Sequence, residues 1–368
     1  MRVLVTGGAG FIGSHIVDRH LRKGDHVRVL DSLEARVHPR GKPPYLRSDV
    51  EFIQGSILDR WLLKRALDGI DVVSHQAAYQ DYMPDFSKFL SVNAVGTALL
   101  YEVIVEHQIP VKKIVVASSQ AVYGEGQYKC TQHGFFLPAP RSQGQLQRGE
   151  WEVQCPECHA VSESVPLRES HVNPYNQYAV SKLAEEKTAL GLGWLHNIPT
   201  VALRYSITQG MRQSLFNQYS GVCRIFFSRA MSGLPLVVYE DGRQKRDFVH
   251  VQDVVDAYEV VLTSDAADYR AFNVGSGRAM TVLDYADAVA KRLGREISVH
   301  VSGEYRRGDN RHSVSSVSEL TRLGWSPRRT LANILDDFLA WVDANGGIPA
   351  DAMSAYAHMK QAGVVVGV

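Results

Sequence analysis

The chain has 368 residues, 45% hydrophobic and 21% charged, which supplies a sizeable core and excludes a disordered chain. Forty Lys plus Arg stand against 39 Asp plus Glu, a formal net charge of +1, so no general basic field gathers nucleic acid or anionic lipid and any phosphate must be held locally. No apolar run approaches the roughly 20 residues that span a bilayer, and no signal peptide precedes the first strand pattern, so a cytoplasmic protein with no membrane and no nucleic-acid partner is expected.

Arg2 to Thr6 is a short aliphatic and β-branched run that stops at Gly7-Gly8-Ala9-Gly10-Phe11-Ile12-Gly13, a buried parallel strand meeting a glycine-rich turn. Phe11, Ile12, Ile16, Val17 and Leu21 then recur at helical spacing until Gly24, and Val27 to Leu30 begins a second strand that closes on Asp31, completing a βαβ unit. Further strands are expected at Phe52-Ile53, Asp71 to Val73 and Lys113 to Val116, separated by helical stretches such as Val92 to Glu106. This alternation predicts an α/β fold, a Rossmann-type doubly wound parallel sheet.

From Gly124 to about Val172 Gly, Pro, Gln and Arg interrupt every periodicity, and Cys130, Cys155 and Cys158 appear. The α/β rhythm resumes with a helix from about Asn176 to Leu195 and a strand Thr200 to Leu203. Beyond Gln209, helices near Val222 to Met231, Val254 to Leu262, Val282 to Leu293 and Leu331 to Val342, with short strands at Leu236 to Val238 and Ala271 to Val274, are assigned to a smaller C-terminal α/β lobe. The expected organisation is a Rossmann domain over 1–124 and 172–205, an inserted Cys-containing segment over 125–171, a mainly substrate-binding lobe over 206–345 and a loosely ordered tail over 346–368.

Gly7, Gly10 and Gly13 let a tight turn bring its backbone close to a pyrophosphate at the positive end of the following helix. Asp31 ends the next strand 18 residues after Gly13, about where a carboxylate binds the adenosine ribose hydroxyls and repels a 2′-phosphate, which favours NAD over NADP. The alternative for Asp31 is a solvated cap of the Ser32 turn. Tyr178 and Lys182 stand four residues apart, on one helix face, where the ammonium lowers the phenol's pKa so that a phenolate acts as base near neutral pH. Ser119, at the end of its strand, can hydrogen-bond the same substrate oxygen.

Thr6 to Gly13, His75-Gln76-Ala77-Ala78, Asn93-Ala-Val-Gly96-Thr97, Ser119-Gln-Ala-Val-Tyr123-Gly124, Tyr178-x-x-x-Lys182 and Arg246-Asp247-Phe248-Val249-His250-Val251-x-Asp253 occur in this order. The chain thereby resembles the nucleotide-sugar epimerase/dehydratase branch of the extended short-chain dehydrogenases/reductases, over about residues 1–124 and 172–345. The resemblance implies that Ser119, Tyr178 and Lys182 are catalytic, and that Gly7, Gly10, Phe11, Ile12, Gly13, Asp31, Ser56, Ile57, Gln76, Ala77, Ala78 and Asn93 join Tyr178 and Lys182 in holding NAD. Tyr79, Gln80, Ser119, Gln120, Arg246 and Arg311 are then expected at the nucleotide-sugar substrate, the two arginines on its diphosphate. For Asn93 a buried structural role is the alternative, and for the arginines salt bridges to Asp247 or Asp309.

The chain departs from the pattern in three places. Ser56 follows Gly55 where relatives often carry Asp, and Ile207 follows Arg204-Tyr205-Ser206 where relatives have Asn. Gln120 and Ala121 stand where 4,6-dehydratases place an Asp-Glu pair, so elimination of water lacks its acid and base. Reversible hydride transfer at C4 needs neither. Within the branch, Tyr79-Gln-Asp-Tyr-Met-Pro-Asp85, Ala117 to Val122, the cysteine insertion and Arg204 to Gly210 look most like dTDP-L-rhamnose 4-epimerases. Other nucleotide-sugar epimerases, a 4-keto reductase or dehydratase, and a catalytically silent NAD-binding scaffold remain as alternatives.

Cys130-Thr-Gln-His133 and Cys155-Pro-Glu-Cys158 each bring two soft ligands together across a two-residue gap, the spacing of a structural zinc site, against the alternative of reduced cysteines in a flexible loop. The resemblance also implies a homodimer in which the helices after Met83 and around Tyr178 pair across a two-fold axis; apolar Leu90, Val95, Leu99 and Val103 on one long helix motivate it, with packing against the sheet as the alternative.

Overall fold

The computed structural model describes residues 1–81, 83–217, 221–349 and 352–367. Seven parallel strands form its main sheet: β1 (Arg2–Thr6), β2 (His26–Asp31), β3 (Glu51–Gln54), β4 (Val72–His75), β5 (Lys113–Ser119), β6 (Thr200–Tyr205) and β7 (Arg270–Val274), in spatial order β3-β2-β1-β4-β5-β6-β7. The order reverses between β1 and β4, and such a switch point opens a crevice beyond the C-terminal ends of the strands.

Alternate side chains of each strand feed opposite cores. Val3 and Val5 pack with Ile16 and Val17 of α1 (Phe11–Arg22) and with Val254 and Tyr258, whereas Leu4 packs with Leu63 and Leu67 of α2 (Arg60–Leu67) and with Leu100 and Ile104 of α3 (Gly96–Glu106). Covering both faces is why these strands read as continuous apolar runs rather than alternating ones.

The helix expected from Val92 starts earlier: Phe86–Phe89 is helical, Leu90–Val95 is a π-helical stretch and α3 follows. By length and composition Phe86–Glu106 could cross a bilayer, contrary to the expectation that no run comes close. Its Leu100, Tyr101, Val103 and Ile104 are spent on the sheet's core. The helix bearing the Tyr-x-x-x-Lys pair, α4 (Gln177–Leu195), begins where Asn176 caps it by accepting from Ala179 N–H at 2.8 Å.

Part of the 206–345 span does not build the lobe. β7 completes the main sheet beside β6, and α5 (Val251–Thr263) supplies one of its two cores. A short apolar strand and helix look the same in sequence whether they extend a sheet or found a lobe. The remainder builds a third core around Phe226, Phe227, Tyr285, Ile334 and Phe338. The tail also departs from expectation: Ala352–Gln361 is helical, and Val365–Val366 pairs antiparallel with Tyr305–Arg306, burying Met359 and Val365.

The insertion forms a three-stranded antiparallel sheet of Gly134–Phe136, Tyr128–Cys130 and Glu163–Ser164. The Arg141 side chain ties its own segment together through Glu125 and the Trp151 carbonyl, both at 2.9 Å, and fastens it to the rest of the chain through Glu240 at 3.0 Å and the Asp309 carbonyl at 2.9 Å.

Candidate active site and metal centre

A cleft of about 1370 Å³ opens at the switch point, more than one small ligand needs. Gly7, Gly10, Phe11, Ile12 and Gly13 line its floor. A Cβ on Gly7, whose φ is +66°, would come 2.7 Å from Ala77 N, and one on Gly13 2.2 Å from Gly7 O. The turn is therefore packed backbone against backbone, which leaves the N-terminus of α1 facing the cleft as an anion site. Asp31 lines the same wall while Oδ2 accepts from Ala9 N–H at 2.9 Å and Oδ1 from Leu33 N–H at 2.8 Å. Each oxygen keeps a second lone pair for a hydroxyl, so capping the turn and facing a ribose are compatible. Ser56, Ile57, Gln76, Ala77 and Ala78 complete the lining on this side. These groups fit a dinucleotide.

Asn93 does not line the cleft. Fully buried in the π-helical stretch, it accepts from Tyr79 N–H at 2.7 Å and donates to Tyr79 O at 3.0 Å and to Ser181 Oγ at 2.9 Å. It stands behind the wall and fixes the loop that carries Tyr79. Its expected contact with the cofactor is corrected to this structural one, because all three of its bonds go to protein.

Ser119, Tyr178 and Lys182 line the cleft together with Gln120, Tyr79 and Gln80. Ser119 Oγ accepts from Ala121 N–H at 3.1 Å, which leaves its proton for another acceptor. Tyr178 is half-buried, edge-on to Phe89, with ring centroids 6.4 Å apart. Lys182 is buried and pairs with Glu185. Behind it His75 is fully buried between Thr6 Oγ1, 2.8 Å away, and Thr97 Oγ1, 3.0 Å away. Burial first, and the Lys182 charge second, hold its imidazole neutral with a pKa near 3. Gln120 accepts from the Ser313 hydroxyl at 2.9 Å. Tyr82, inside the Tyr79 to Asp85 motif, lies outside the described residues.

The arginines separate. Arg246 lines the cleft while donating to the carbonyls of Lys245, Asn310 and Arg311 at 2.9–3.0 Å. Asp247 is no partner for it: that carboxylate accepts from Ser276, Gly277, Ser315 and Ser206. Arg311 does not line the cleft. It is fully buried, with every guanidinium nitrogen on a carboxylate of Glu152, Glu240 or Asp241 at 2.7–3.1 Å. Its expected place at a diphosphate is thus corrected to a clamp between insertion and lobe. The cleft instead receives Arg306 and Arg307 of the same run. Residue type marked this Arg-rich turn, but only the reversal at Gly308, with φ +72°, decides which arginines face inward.

The insertion gathers Cys130, His133, Cys155 and Cys158 with all ligand atoms within 4.8 Å of one another. Cys130 Sγ lies 3.7 Å from Cys158 Sγ and 3.7 Å from His133 Nδ1, and Cys155 Sγ lies 3.4 Å from that nitrogen. Thiolates on a tetrahedral zinc stand about 3.8 Å apart, and a thiolate and an imidazole nitrogen about 3.5 Å, given Zn–S near 2.3 Å and Zn–N near 2.0–2.1 Å. Donor set and spacing fit that ion.

Comparison with known proteins agrees with this geometry. The model of the NAD dependent epimerase/dehydratase family matches residues 3–143 and 155–275. The chain is 31% identical to a dTDP-L-rhamnose 4-epimerase of Burkholderia thailandensis, over 93% of this chain and 94% of that one. A UDP-glucose 4-epimerase of Thermus thermophilus, solved with NAD, superposes with a TM-score of 0.73 at 30% identity, over 93% and 98% of the two chains. The UDP-glucose 4-epimerase of Thermotoga maritima, solved with UDP-glucose, gives 0.75 at 26% identity, over 94% and 99%. A glycine turn at the switch point, a carboxylate on the next strand and a Tyr-Lys pair facing one cleft accompany a family match across most of the chain: the protein belongs to the NAD-dependent epimerase/dehydratase family.

Proposed function

We propose that this enzyme inverts C4 of a nucleotide-activated sugar through a transient 4-keto sugar, with dTDP-L-rhamnose and dTDP-6-deoxy-L-talose as the substrate pair. The observation that carries the reading is the shared cleft of Ser119, Tyr178, Lys182 and the glycine turn, with Gln120 and Ala121 where an eliminating enzyme needs an acid and a base. When bound, NAD accepts and returns the hydride. Tyr178 takes the proton of the C4 hydroxyl and gives it back after the ketone has turned its other face. Ser119 hydrogen-bonds that oxygen, and Lys182 favours the phenolate. Arg246 and Arg306 hold the diphosphate, whose charge the nearly neutral chain must meet locally. A panel of dTDP- and UDP-sugars followed by NMR tests this. Inversion at C4 without added reductant is expected, fastest with the dTDP-6-deoxy sugars. Loss of water, or net oxidation or reduction, overturns it.

The reading includes a structural zinc on Cys130, His133, Cys155 and Cys158, supported by the ligand spacing and by the free thiols of all three cysteines. One zinc per chain is expected by elemental analysis, whereas less than about one per five chains with all three thiols freely titratable overturns it. It also includes a cytoplasmic homodimer, supported by exposed Leu90, Val95 and Val180 on the adjoining faces of the 86–106 run and α4. Val103 faces the core instead. A monomer at micromolar concentration in sedimentation overturns the dimer.

A further inference from the structure

Two adjacent carboxylates on α4 live in opposite circumstances. Glu186 is fully satisfied: its Oε1 accepts from Arg204 at 2.7 Å, and its Oε2 accepts from Arg204 at 2.9 Å and from the Ser118 hydroxyl at 2.7 Å. Glu185 is equally buried, but only its Oε2 is engaged, by Lys182 Nζ, and its Oε1 has no hydrogen-bond partner among the described residues. A half-satisfied carboxylate away from water is costly, and nothing in the packing of α4 demands one.

We infer that Glu185 is a positioning residue for Lys182, setting how much of the ammonium's charge reaches Tyr178. The inference rests on the reading of Tyr178 as base and Lys182 as its activator. An ammonium offers three donors, so it can keep one on Glu185 and turn the others to the cleft. An ionised Glu185 offsets the charge and holds Nζ back, and a neutral one releases both. The groups facing Glu185 are Lys182 and Glu186 on its own helix and Tyr205 from β6; His75 from β4 stays neutral. Burial raises the Glu185 carboxyl to about 7 against the pull of Lys182, so the two states exchange in the range where the enzyme would work.

The test titrates the Tyr178 phenol in NAD-loaded protein by near-ultraviolet absorbance, isolated by difference against Tyr178→Phe. It is run with native Glu185 and with Glu185→Gln, which keeps the shape and an acceptor for Lys182 but removes the charge. The phenol midpoint is expected to fall by about one pH unit in Glu185→Gln, and the acid limb of kcat to move the same way while bound NAD stays constant. An unchanged midpoint overturns the proposal. Should Glu185→Gln not fold, the reciprocal measurement uses the native fold: carbon NMR of the Glu185 carboxyl must titrate at a different pH in Tyr178→Phe than in the unaltered protein, since coupling between two sites is mutual. Equal midpoints there overturn it too. Because no substrate is added, the two readings separate: absence of any phenolate below about pH 9 removes Tyr178 as base, while a phenolate insensitive to Glu185 removes only this inference.

Discussion

The C-terminal end of β1 that carries the glycine turn and the 125–171 insertion are both ordered, by different means. At the turn, backbone packs on backbone, and Val3, Val5 and Leu4 anchor the strand in two apolar cores. In the insertion Tyr128, Cys130, Leu146, Val153, Cys155 and Leu167 are buried, and beside the packing of Leu167 on Val122 and Tyr123 and its backbone bridge to Ser315 the links to the rest of the chain are charges: Arg141 to Glu240, and Glu152 to Arg311 and His312. Order made by apolar burial is non-directional and survives the loss of a contact. Order made by buried ions survives only while each partner is present.

The largest effect should fall on the sheet's own site. Tyr178→Phe is expected to lower turnover by about 10² to 10⁴-fold with NAD content and folding unchanged, read by NMR rates and by the cofactor released on denaturation. Near-normal activity would separate the apolar half from the chemistry.

Next comes the ionic half. Arg311→Ala removes the cation that Glu152, Glu240 and Asp241 share, leaving Arg141 on Glu240 and His312 on Glu152, and should cost about 3–5 kcal/mol in urea unfolding. Arg306→Ala should leave stability nearly unchanged and raise KM roughly tenfold, as loss of a charge-assisted bond to a diphosphate does. If both variants behaved alike, the distinction between clamp and binding arginines would fail.

Chelation sharpens the contrast further. If the proposed zinc is bound, stripping it should speed backbone hydrogen exchange across 125–171 by more than about tenfold while β1, β4 and β5 exchange as before. Uniform acceleration would mean that the two regions unfold as one.

The smallest effect is in pH dependence. His75 ordinarily titrates near 6.5 and is held to about 3 by burial and then by Lys182. The unfolded chain therefore takes up a proton that the folded one refuses, so this contribution is complete above pH 6.5 and is lost as pH falls from 6.5 toward 3. Glu152 is lowered from 4.5 to about 2 by its bond from His312 and by Arg311, against burial. Its contribution is present above 4.5 and lost between 4.5 and 2. His75→Gln should flatten the urea midpoint between pH 6.5 and 5 without touching the loss of insertion protection below 4.5. A slope unchanged in that variant would assign the upper window to other groups.

These physical differences also explain what could be read in advance. Six of the seven strands, the glycine turn and Asp31 were legible because burial on both faces writes itself as apolar runs, and a backbone-packed turn as glycines. The clustering of Cys130, His133, Cys155 and Cys158 was legible because each pair stands across a two-residue gap that a tight turn closes. Arg311, Asn93 and Glu185 were not. An arginine enclosed by carboxylates from Glu152 to Asp241 has the same letter as one facing a cleft, and Asn93 and Glu185 differ from surface residues only through neighbours far along the chain. β7 and the docked tail were missed for the same reason: their partners, β6 and Tyr305–Arg306, are not local.

The chain order of the sheet bears on how the protein is made. β5 ends at Ser119, yet its outer neighbour β6 begins only at Thr200, with the whole insertion between. During synthesis the β5 edge, seven buried residues long, waits unpaired on the ribosome while 125–171 emerges. A long exposed edge of this kind invites pairing with another chain. An insertion that closes early through its own hairpin shortens the loop that β5 and β6 must bridge. The hairpin would then protect the nascent chain as much as the finished one.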